Sequence, residues 1–376
     1  MPDQPLPPAQ DAPETQSQKV DFPCPNCGAK MTWDPQADSL ACDYCESKIP
    51  VPRGEGTIVE RALEDAGSAA RGLGVEARTA KCGNCGARVS FSTTETATSC
   101  VYCGSANVLV QEANRNAIRP ESLVPLDVSR ADVEQHFRRW LKRLWFRPGE
   151  LQRTKRFDAV GIYVPFWTFD CQVHSDWSAD AGHYYYVTVP KMVMVNGKAR
   201  MQMVQERRIR WVPAFGQRDD AYDDELVNAS HLSAELIGEL GRFDTAKLVP
   251  YRPEYLAGWS AEEYQLDLAQ GWQQSQAAVV DSQQSRCSGD IPGDTYRNLR
   301  VQNRIHGVRW KHVLLPVWSL QYTFQGKPYA VLVNGQTGQV AGKAPISWAK
   351  IAALVVGIVV GVLLVLAILA AAGALQ

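Results

Sequence analysis

The chain has 376 residues, of which 45% are hydrophobic, and its 39 basic and 40 acidic side chains give a net charge of −1. This length is enough to bury at least one large hydrophobic core. The near-neutral balance excludes a protein that binds polyanions through its overall charge.

The first elements in chain order are a polar leader and two cysteine-rich segments. Residues 1–21 are rich in proline and poor in apolar side chains, which predicts a disordered leader. The pattern C-x2-C-x14-C-x2-C then occurs twice, and its cysteines are Cys24, Cys27, Cys42, Cys45, Cys82, Cys85, Cys100 and Cys103. Each C-x2-C pair forms a tight turn that directs two thiolates at one centre, and four thiolates complete the tetrahedral shell that structural zinc prefers. The spacing therefore predicts zinc ribbon 1 over residues 22–51 and zinc ribbon 2 over residues 81–111, with two structural Zn²⁺ ions per chain.

The two copies also align outside the cysteines, with Trp33 opposite Phe91 and Tyr44 opposite Tyr102. A disulfide framework is the alternative interpretation of such cysteines. It requires an oxidising compartment, and no secretory signal is visible in the leader. The repeated spacing favours zinc.

Residues 52–80 are predicted to form a linker with a short helix. Thr57 and Glu60 have the spacing of a capping box, and Gly72 and Gly74 would end the helix. Its weak apolar stripe would comprise Val59, Leu63, Ala66 and Ala70.

A second capped helix is predicted near Ser129, with Asp132 at its third position, and Arg147-Pro148-Gly149 would stop it. Its apolar side would comprise Val133, Phe137, Trp140, Leu141, Leu144 and Trp145. Its other side would carry Arg138, Arg139, Lys142 and Arg143. Residues 130–156 contain nine basic and three acidic residues, a local net charge of +6. Three interpretations of this basic side stay open: a solvated surface, attraction to the anionic inner leaflet of a membrane, and phosphate contact with nucleic acid.

Residues 112–345 are predicted to form a β-rich α+β domain. Strand-like runs cover Val160–Val173, Tyr184–Pro190, Lys191–Val195 and Arg200–Val212, with a hairpin turn at Asn196-Gly197. Residues 230–286 are more helical, and Ser260 with Glu263 has the spacing of a helix start. A last strand group spans Leu299–Val340, with turns at Gln325-Gly326 and Asn334-Gly335.

One cluster in this domain mixes side chains that bind metals: Asp170, Cys171, His174, Asp176, Asp180 and His183. If residues 166–174 form a strand, Cys171 and His174 point to opposite faces because their separation is odd. An ordinary strand with one polar and one apolar face is therefore favoured over a further metal site.

The run Ile351–Ala372 contains no charged side chain and is long enough to cross a bilayer. Lys343 and Lys350 lie before it, so the positive-inside bias predicts that the large N-terminal part stays in the cytoplasm. We expect a single-pass, tail-anchored protein of the cytoplasmic (inner) membrane, with residues 346–373 as its transmembrane helix.

The motifs of common enzymes are absent from the sequence. Gly342-Lys343 lacks the remaining residues of a phosphate loop, and there is no H-E-x-x-H, no G-x-S-x-G and no dinucleotide-binding glycine pattern. No small-molecule substrate is evident, and four thiolates leave a zinc ion no open position for catalysis. We expect a protein that is not an enzyme, and an activity hidden in the β-rich domain is a third alternative.

Several segments together resemble the bacterial membrane-anchored tandem zinc-ribbon proteins, whose ribbons are similar to those of transcription factor IIB and which are sometimes labelled as relatives of the primosomal helicase. These segments are the two ribbons, the linker sequence ERALEDAGSAARGLG, WLKRLWFRPGEL, GIYVPFWTFD, LPVW, VLVNGQTG and the apolar C-terminal run. The resemblance covers nearly the whole chain and carries over the eight cysteines as zinc ligands. One departure is Glu46, where ribbon 2 has Gly104, and we expect the turn at this ligand to differ slightly.

The resemblance implies an adaptor in phage-shock-type membrane-stress modules, with PspA-like coat proteins or flotillin-like band-7 proteins as partners. The overall prediction is a multidomain chain of two small zinc ribbons, an α+β domain and one transmembrane helix, which recruits proteins to the membrane. The alternative is a membrane-anchored protein that binds nucleic acid. Charge argues against that alternative, because residues 22–51 carry a net charge of −2 and residues 80–110 a net charge of only +1.

Overall fold

The computed structural model describes residues 22–51, 56–92, 97–144, 146–148, 150–151, 157–195 and 198–373. The described strands form one small sheet and one large mixed sheet. Helices α1 to α4 span Arg130–Arg143, Ala234–Leu240, Leu268–Asp290 and Trp348–Gly373. The described chain therefore contains two four-cysteine units, a large mixed sheet and an apolar C-terminal helix.

The small sheet is the antiparallel meander of ribbon 1. Its strands are β1 (Met31–Asp34), β2 (Ser39–Cys42) and β3 (Lys48–Pro50), in the order β1-β2-β3. Trp33 on β1 is buried, its backbone N–H donates to the Ala257 carbonyl at 2.8 Å, and its ring packs edge-on against Tyr255. Strand β1 thus pairs ribbon 1 with the body of the protein, and buried residues of the ribbon such as Leu40 and Val51 belong to the same core cluster as Tyr255.

The large sheet contains ribbon 2 as well as the β-rich domain. Its twelve described strands are β4 (Arg61–Ala62), β5 (Ala77–Cys82), β6 (Arg88–Ser92), β7 (Val108–Glu112), β8 (Ser122–Leu123), β9 (Asp158–Val195), β10 (Lys198–Asn228), β11 (Val249–Pro250), β12 (Ser260–Glu262), β13 (Thr295–Phe324), β14 (Lys327–Asn334) and β15 (Val340–Gly342). Strands β5, β6 and β7 belong to ribbon 2, and β12 joins β6 to β9. Ribbon 2 is therefore continuous with the main sheet, unlike ribbon 1.

Three very long strands dominate this sheet, in the order β10-β9-β13. The prediction of separate runs over Val160–Val173, Tyr184–Pro190 and Lys191–Val195 is wrong, because β9 continues for 38 residues. Pro190 does not interrupt it, since β9 has only β10 beside it at that point and a missing backbone N–H is tolerated at an open edge. The predicted Asn196-Gly197 turn lies outside the described residues, but Val195 and Lys198 on either side of it are paired. The turn at Gln325-Gly326 is confirmed by the pairing of Phe324 with Lys327.

Two predicted helix starts are wrong, and tertiary contacts explain both. Thr57 and Glu60 do not cap an α-helix, because the Glu60 carboxylate instead pairs with Lys311 Nζ at 2.8 Å. Strand β4 follows, and a 3-10 helix spans Leu63–Ser68. Ser260 begins strand β12, and the long helix α3 starts only at Leu268.

The start of α3 is set by a capping box that the prediction missed. The Asp267 carboxylate accepts from the Gln270 backbone N–H at 2.8 Å, and the Gln270 side chain accepts in return from the Asp267 N–H at 3.2 Å. Glu262 and Glu263 are held by distant partners instead, including Tyr102 and Thr79 of ribbon 2. Contacts with ribbon 2 therefore override the local preference for a helix at Ser260.

The capped helix near Ser129 is confirmed as α1. The Ser129 hydroxyl accepts from the Asp132 backbone N–H at 3.2 Å. The predicted apolar side faces the core through Val133, Phe137 and Leu141, which are at most 1% exposed. Trp140 and Leu144 are half-buried, whereas Trp145 and Gly149 lie outside the described residues.

Within the described chain, α4 is the one helix that is long and apolar enough to cross a membrane. Its segment Trp348–Ile368 has a mean hydropathy of 3.2 and none of it is buried. The charge-free run predicted from the sequence therefore forms a continuous helix.

Candidate metal centres in two four-cysteine clusters

The first candidate site brings together Cys24, Cys27, Cys42 and Cys45. The Sγ atoms of Cys24 and Cys45 lie 3.4 Å apart, and those of Cys27 and Cys42 lie 3.5 Å apart. All ligand atoms of the cluster lie within 4.8 Å of one another. Two turns supply the thiols, one before β1 and one between β2 and β3.

The second candidate site has the same construction from Cys82, Cys85, Cys100 and Cys103. The Cys82–Cys103 and Cys85–Cys100 sulfur pairs are both 3.6 Å apart. Zn–S bonds of about 2.3 Å in a tetrahedron place the sulfurs about 3.8 Å apart. Both clusters therefore have the donor set and approximate size for one tetrahedral metal ion each, and structural zinc fits them.

The sulfur pairs of both clusters are 3.4 to 3.6 Å apart, which suits ligands of one metal ion better than a disulfide bond of about 2 Å. The predicted eight residues are the ones that the fold collects, four into each cluster. Two metal ions per chain are consistent with this arrangement.

One backbone motif builds all four cysteine turns. The residue after the second cysteine of each pair has a left-handed φ, and its N–H donates to the carbonyl of the first cysteine at 2.8 to 3.1 Å. The four residues and their φ angles are Gly28 (75°), Glu46 (58°), Gly86 (82°) and Gly104 (71°). The turn at Glu46 thus has the same form as the turn at Gly104, although a residue with a Cβ pays a steric cost there.

Polar groups beside the sulfurs favour the thiolate form that binds metal. The Ser47 hydroxyl lies 3.1 Å from Cys45 Sγ and lowers the pKa of that thiol to about 6. A hydrogen bond from Cys85 lowers the pKa of Cys100 to about 5 and raises the pKa of Cys85 itself, so these two thiols share one proton when no metal is bound. In ribbon 2, the Asn84 backbone N–H and its side-chain amide also point at Cys82 and Cys103. These donors stabilise negative charge on the ligands.

The two clusters differ in their surroundings, and the tyrosines of the aligned turns show this best. Tyr102 of ribbon 2 is 5% exposed, whereas Tyr44 of ribbon 1 is 85% exposed. The Tyr102 hydroxyl donates to the buried Glu262 carboxylate at 2.7 Å, and the same carboxylate lies 2.7 Å from His231 Nδ1. Burial and the negative charge of Glu262 raise the pKa of Tyr102.

Ribbon 2 is held to the body by further hydrogen bonds to its backbone. The Gln321 amide donates to the carbonyls of Cys100 and Val101 at 2.8 and 2.7 Å. The Gln265 amide donates to the Gly86 carbonyl at 3.0 Å. Sequence reasoning missed these partners, because they lie more than 100 residues away along the chain.

Within the part of the chain that the structure describes, the six residues of the mixed cluster around Asp170 are not collected into one group of ligands. Burial alternates along β9, so that Cys171 is buried on one face while Asp170 and His174 are half-buried on the other. Among described residues, Asp170, Asp223 and Asp224 do approach one another. Lys311 Nζ lies 2.6 Å from the Asp224 carboxylate and 2.8 Å from the Glu60 carboxylate, so one ammonium group balances part of this negative charge. The prediction that Cys171 and His174 lie on opposite faces of a strand is confirmed.

A comparison with known proteins gives one broad similarity. The chain is 29% identical over 351 residues to the uncharacterized protein YdjG of Bacillus subtilis (strain 168). The aligned region covers 92% of this chain and 96% of that protein. No family model matches the chain, and no solved structure matches it.

Proposed function

We propose that this protein is a membrane-tethered adaptor that recruits other proteins through ribbon 1 and carries two structural zinc ions. The C-terminal helix α4 is its single anchor in the cytoplasmic membrane, and the basic residues Lys343 and Lys350 keep the N-terminal bulk in the cytoplasm. The closed four-thiolate shells support a structural role for the metal rather than catalysis.

The observation that carries the proposal is the exposure of Tyr44. A turn held by four metal ligands is rigid, and a rigid exposed tyrosine is a typical anchor of protein interfaces. The equivalent Tyr102 is already used to attach ribbon 2 to the body of the protein. Ribbon 1 therefore has a free aromatic contact that ribbon 2 lacks.

The electrostatics of ribbon 1 favour a protein partner over nucleic acid. The ribbon carries two lysines and four acidic residues, and one of those lysines is 3.5 Å from Asp34. Proteins that bind nucleic acid concentrate basic residues on the contact surface. The resemblance to membrane-anchored tandem-ribbon proteins of stress modules makes PspA-like coat proteins or flotillin-like band-7 proteins the partners to test first.

Affinity capture of the detergent-solubilised full-length chain, read out by mass spectrometry, tests the proposal. We expect Tyr44→Ala to reduce partner recovery by about 30-fold, the effect of losing an interface anchor worth about 2 kcal/mol. Phe215→Ala is the matched control, because Phe215 on β10 is equally exposed at 84% but lies away from the ribbons in sequence and sheet. Unchanged recovery with Tyr44→Ala would refute ribbon 1 as the docking surface.

A second candidate function, nucleic-acid binding, is favoured by the far end of the β9/β10 hairpin. Residues 184–195 and 198–210 contain six basic residues and one acidic residue. Tyr186 and Tyr185 are 64% and 44% exposed there and offer stacking surfaces. Loss of all captured partners after nuclease treatment, or recovery of bound DNA or RNA, would support this candidate instead.

A further inference from the structure

The segment that follows α1 is hydrogen-bonded to the residues that lead into α4. The Ser347 N–H donates to the Phe146 carbonyl at 2.7 Å, and the Arg147 guanidinium donates to the Ala344 carbonyl. Helix α4 begins at Trp348, immediately after this junction. These two hydrogen bonds therefore hold the segment that follows α1 against the residues that immediately precede the apolar helix α4.

The same junction is rigid because both of its sides belong to one core. Ala344 is buried in the cluster that contains Phe137 and Leu141 of α1. Phe146 is 39% exposed and Trp348 is 76% exposed, so apolar rings line the outer side of the junction. Aromatic side chains of this kind favour the interface between water and lipid.

Three basic side chains of α1 face solvent close to this junction. Arg139, Lys142 and Arg143 are exposed, and Arg143 is four residues from Arg147. Arg138, by contrast, is occupied by Glu134 at 2.5 Å and by the ring of Phe157. Arg143 precedes Phe146 by three residues and Arg139 precedes it by seven, so the exposed trio lies on the last two turns of α1, just before the segment that contacts the start of the anchor.

We propose that Arg139, Lys142 and Arg143 form a contact site for the headgroups of anionic phospholipids in the leaflet that α4 enters. This inference rests on the proposed membrane anchoring of α4. Each basic side chain near an anionic surface adds to the attraction, and the attraction falls off within a Debye length. The contact fixes the orientation of the body relative to the membrane, because α1 is packed into the core.

A purely structural role for these residues is the competing explanation. Lys142 and Arg143 lie in the last turn of α1, where positive charge stabilises the helix dipole without any lipid. The two explanations differ in whether the reactivity of Lys142 depends on the charge of the lipid. This dependence can be measured on the full-length protein in vesicles.

The test is acetylation of the full-length chain in vesicles of phosphatidylcholine alone or with about one third phosphatidylglycerol, with single lysines followed by mass spectrometry. We expect Lys142 to react about threefold more slowly in the anionic vesicles, the factor by which a moderately charged leaflet concentrates protons at its surface. Nα-acetyl-lysine in the same buffer gives the acetylation rate of a lysine ε-amino group in bulk solution. High salt should abolish the difference.

Lys350, in the first turn of α4, separates failure of this proposal from failure of the anchor. Slow labelling of Lys350 with equal labelling of Lys142 in both vesicles would overturn the lipid site and retain the anchor. Absence of protection at both lysines, with loss of the protein in a carbonate wash, would overturn the anchor itself. Protection of Lys142 that appears only when DNA is added to neutral vesicles would also overturn the lipid site.

A charge-neutralised variant gives a second readout. Arg139→Gln with Arg143→Gln keeps Lys142 but removes its basic neighbours, so we expect at least half of the protection to be lost. Arg300→Gln with Arg309→Gln makes the same change of charge at two exposed positions of β13 and should leave the protection intact. Equal protection in both variants would show that the trio does not act as a unit.

Discussion

The two ribbons have the same cysteine spacing and the same turns, yet their places in the molecule differ. Ribbon 2 contributes β5, β6 and β7 to the large sheet, and its Tyr102 is buried against Glu262. Ribbon 1 keeps its own sheet, attaches through Trp33 and leaves Tyr44 in solvent. A metal-binding repeat can therefore serve as part of a core in one copy and as a presented surface in the other.

The largest expected difference between the ribbons concerns loss of a ligand. Cys85→Ser should remove one zinc ion per chain and lower the unfolding temperature of the body strongly, because structural zinc contributes on the order of 10 kcal/mol to its fold. Cys42→Ser should also remove one zinc ion but leave the unfolding of the body nearly unchanged. Metal analysis combined with calorimetry checks both. Two zinc ions in either variant would refute the ligand assignment.

The buried hydrogen bond between Tyr102 of ribbon 2 and Glu262 can be removed without changing a cysteine ligand. Glu262→Ala leaves the Tyr102 hydroxyl and the His231 ring buried without their shared acceptor, so we expect the free energy of unfolding to fall by about 3 kcal/mol. The control is Glu254→Ala near ribbon 1, whose partly exposed pair with Arg252 should cost less than about 1 kcal/mol. Denaturant titration measures both, and equal losses would contradict the difference in attachment.

Acid should weaken the body through a histidine beside the chain that leaves ribbon 2. His312 is buried, its Nδ1 lies 2.9 Å from the Ile118 carbonyl, and burial lowers its pKa to about 4. The folded state then binds fewer protons than the unfolded state, so this stability is present above pH 6.5 and is lost as the pH falls toward 4. We expect about 1 kcal/mol less stability at pH 5.5 than at pH 6.5.

His312→Gln isolates this effect from protonation of the cysteines. The variant keeps a donor for the Ile118 carbonyl but does not titrate in this range, so its free energy of unfolding should fall by about 1 kcal/mol less than that of the parent protein over the same pH interval. Denaturant titration at each pH, with zinc in excess, gives the comparison. Parallel pH profiles for the two proteins would contradict the assignment to His312.

The smallest expected effect concerns a feature that the two ribbons share, the left-handed residue that follows the fourth cysteine. Glu46→Gly relieves the left-handed strain at the fourth ligand of ribbon 1, so ribbon 1 should gain about 0.5 to 1 kcal/mol. Gly104→Ala in ribbon 2 should cost at least as much, because its Cβ would also approach Gln321 Oε1 to 3.2 Å. Competition with a zinc chelator measures the change as zinc affinity, and a weakened ribbon 1 in Glu46→Gly would show that the glutamate contributes a contact of its own.

The sequence predicted what depends on local chemistry. The spacing of the eight cysteines, the Ser129 cap of α1 and the charge-free run of α4 each rest on residues that are close along the chain. The turn at Glu46 was predicted to differ slightly, but the hydrogen bond to the Cys42 carbonyl imposes the same backbone as at Gly104.

The features that escaped prediction depend on partners distant in sequence. Glu60 looked like a capping residue but pairs with Lys311, and Ser260 looked like a helix start but lies in a strand between β6 and β9. The burial of Tyr102 needs Glu262, which no local pattern connects to ribbon 2. The continuity of β9 depends on β10 and β13 beside it, which periodicity within one segment does not reveal.

Hydrogen exchange on full-length Cys42→Ser and Cys85→Ser, compared with the parent protein, tests the unequal roles of the ribbons most directly. We predict that Cys42→Ser raises exchange only within residues 22–51 and at their contacts with Ala257 and Trp259. We predict that Cys85→Ser raises exchange in β5 to β7 and further into β12 and the adjoining part of β9. Exchange that stays within the mutated ribbon in both variants, or spreads through the body in both, would contradict the account.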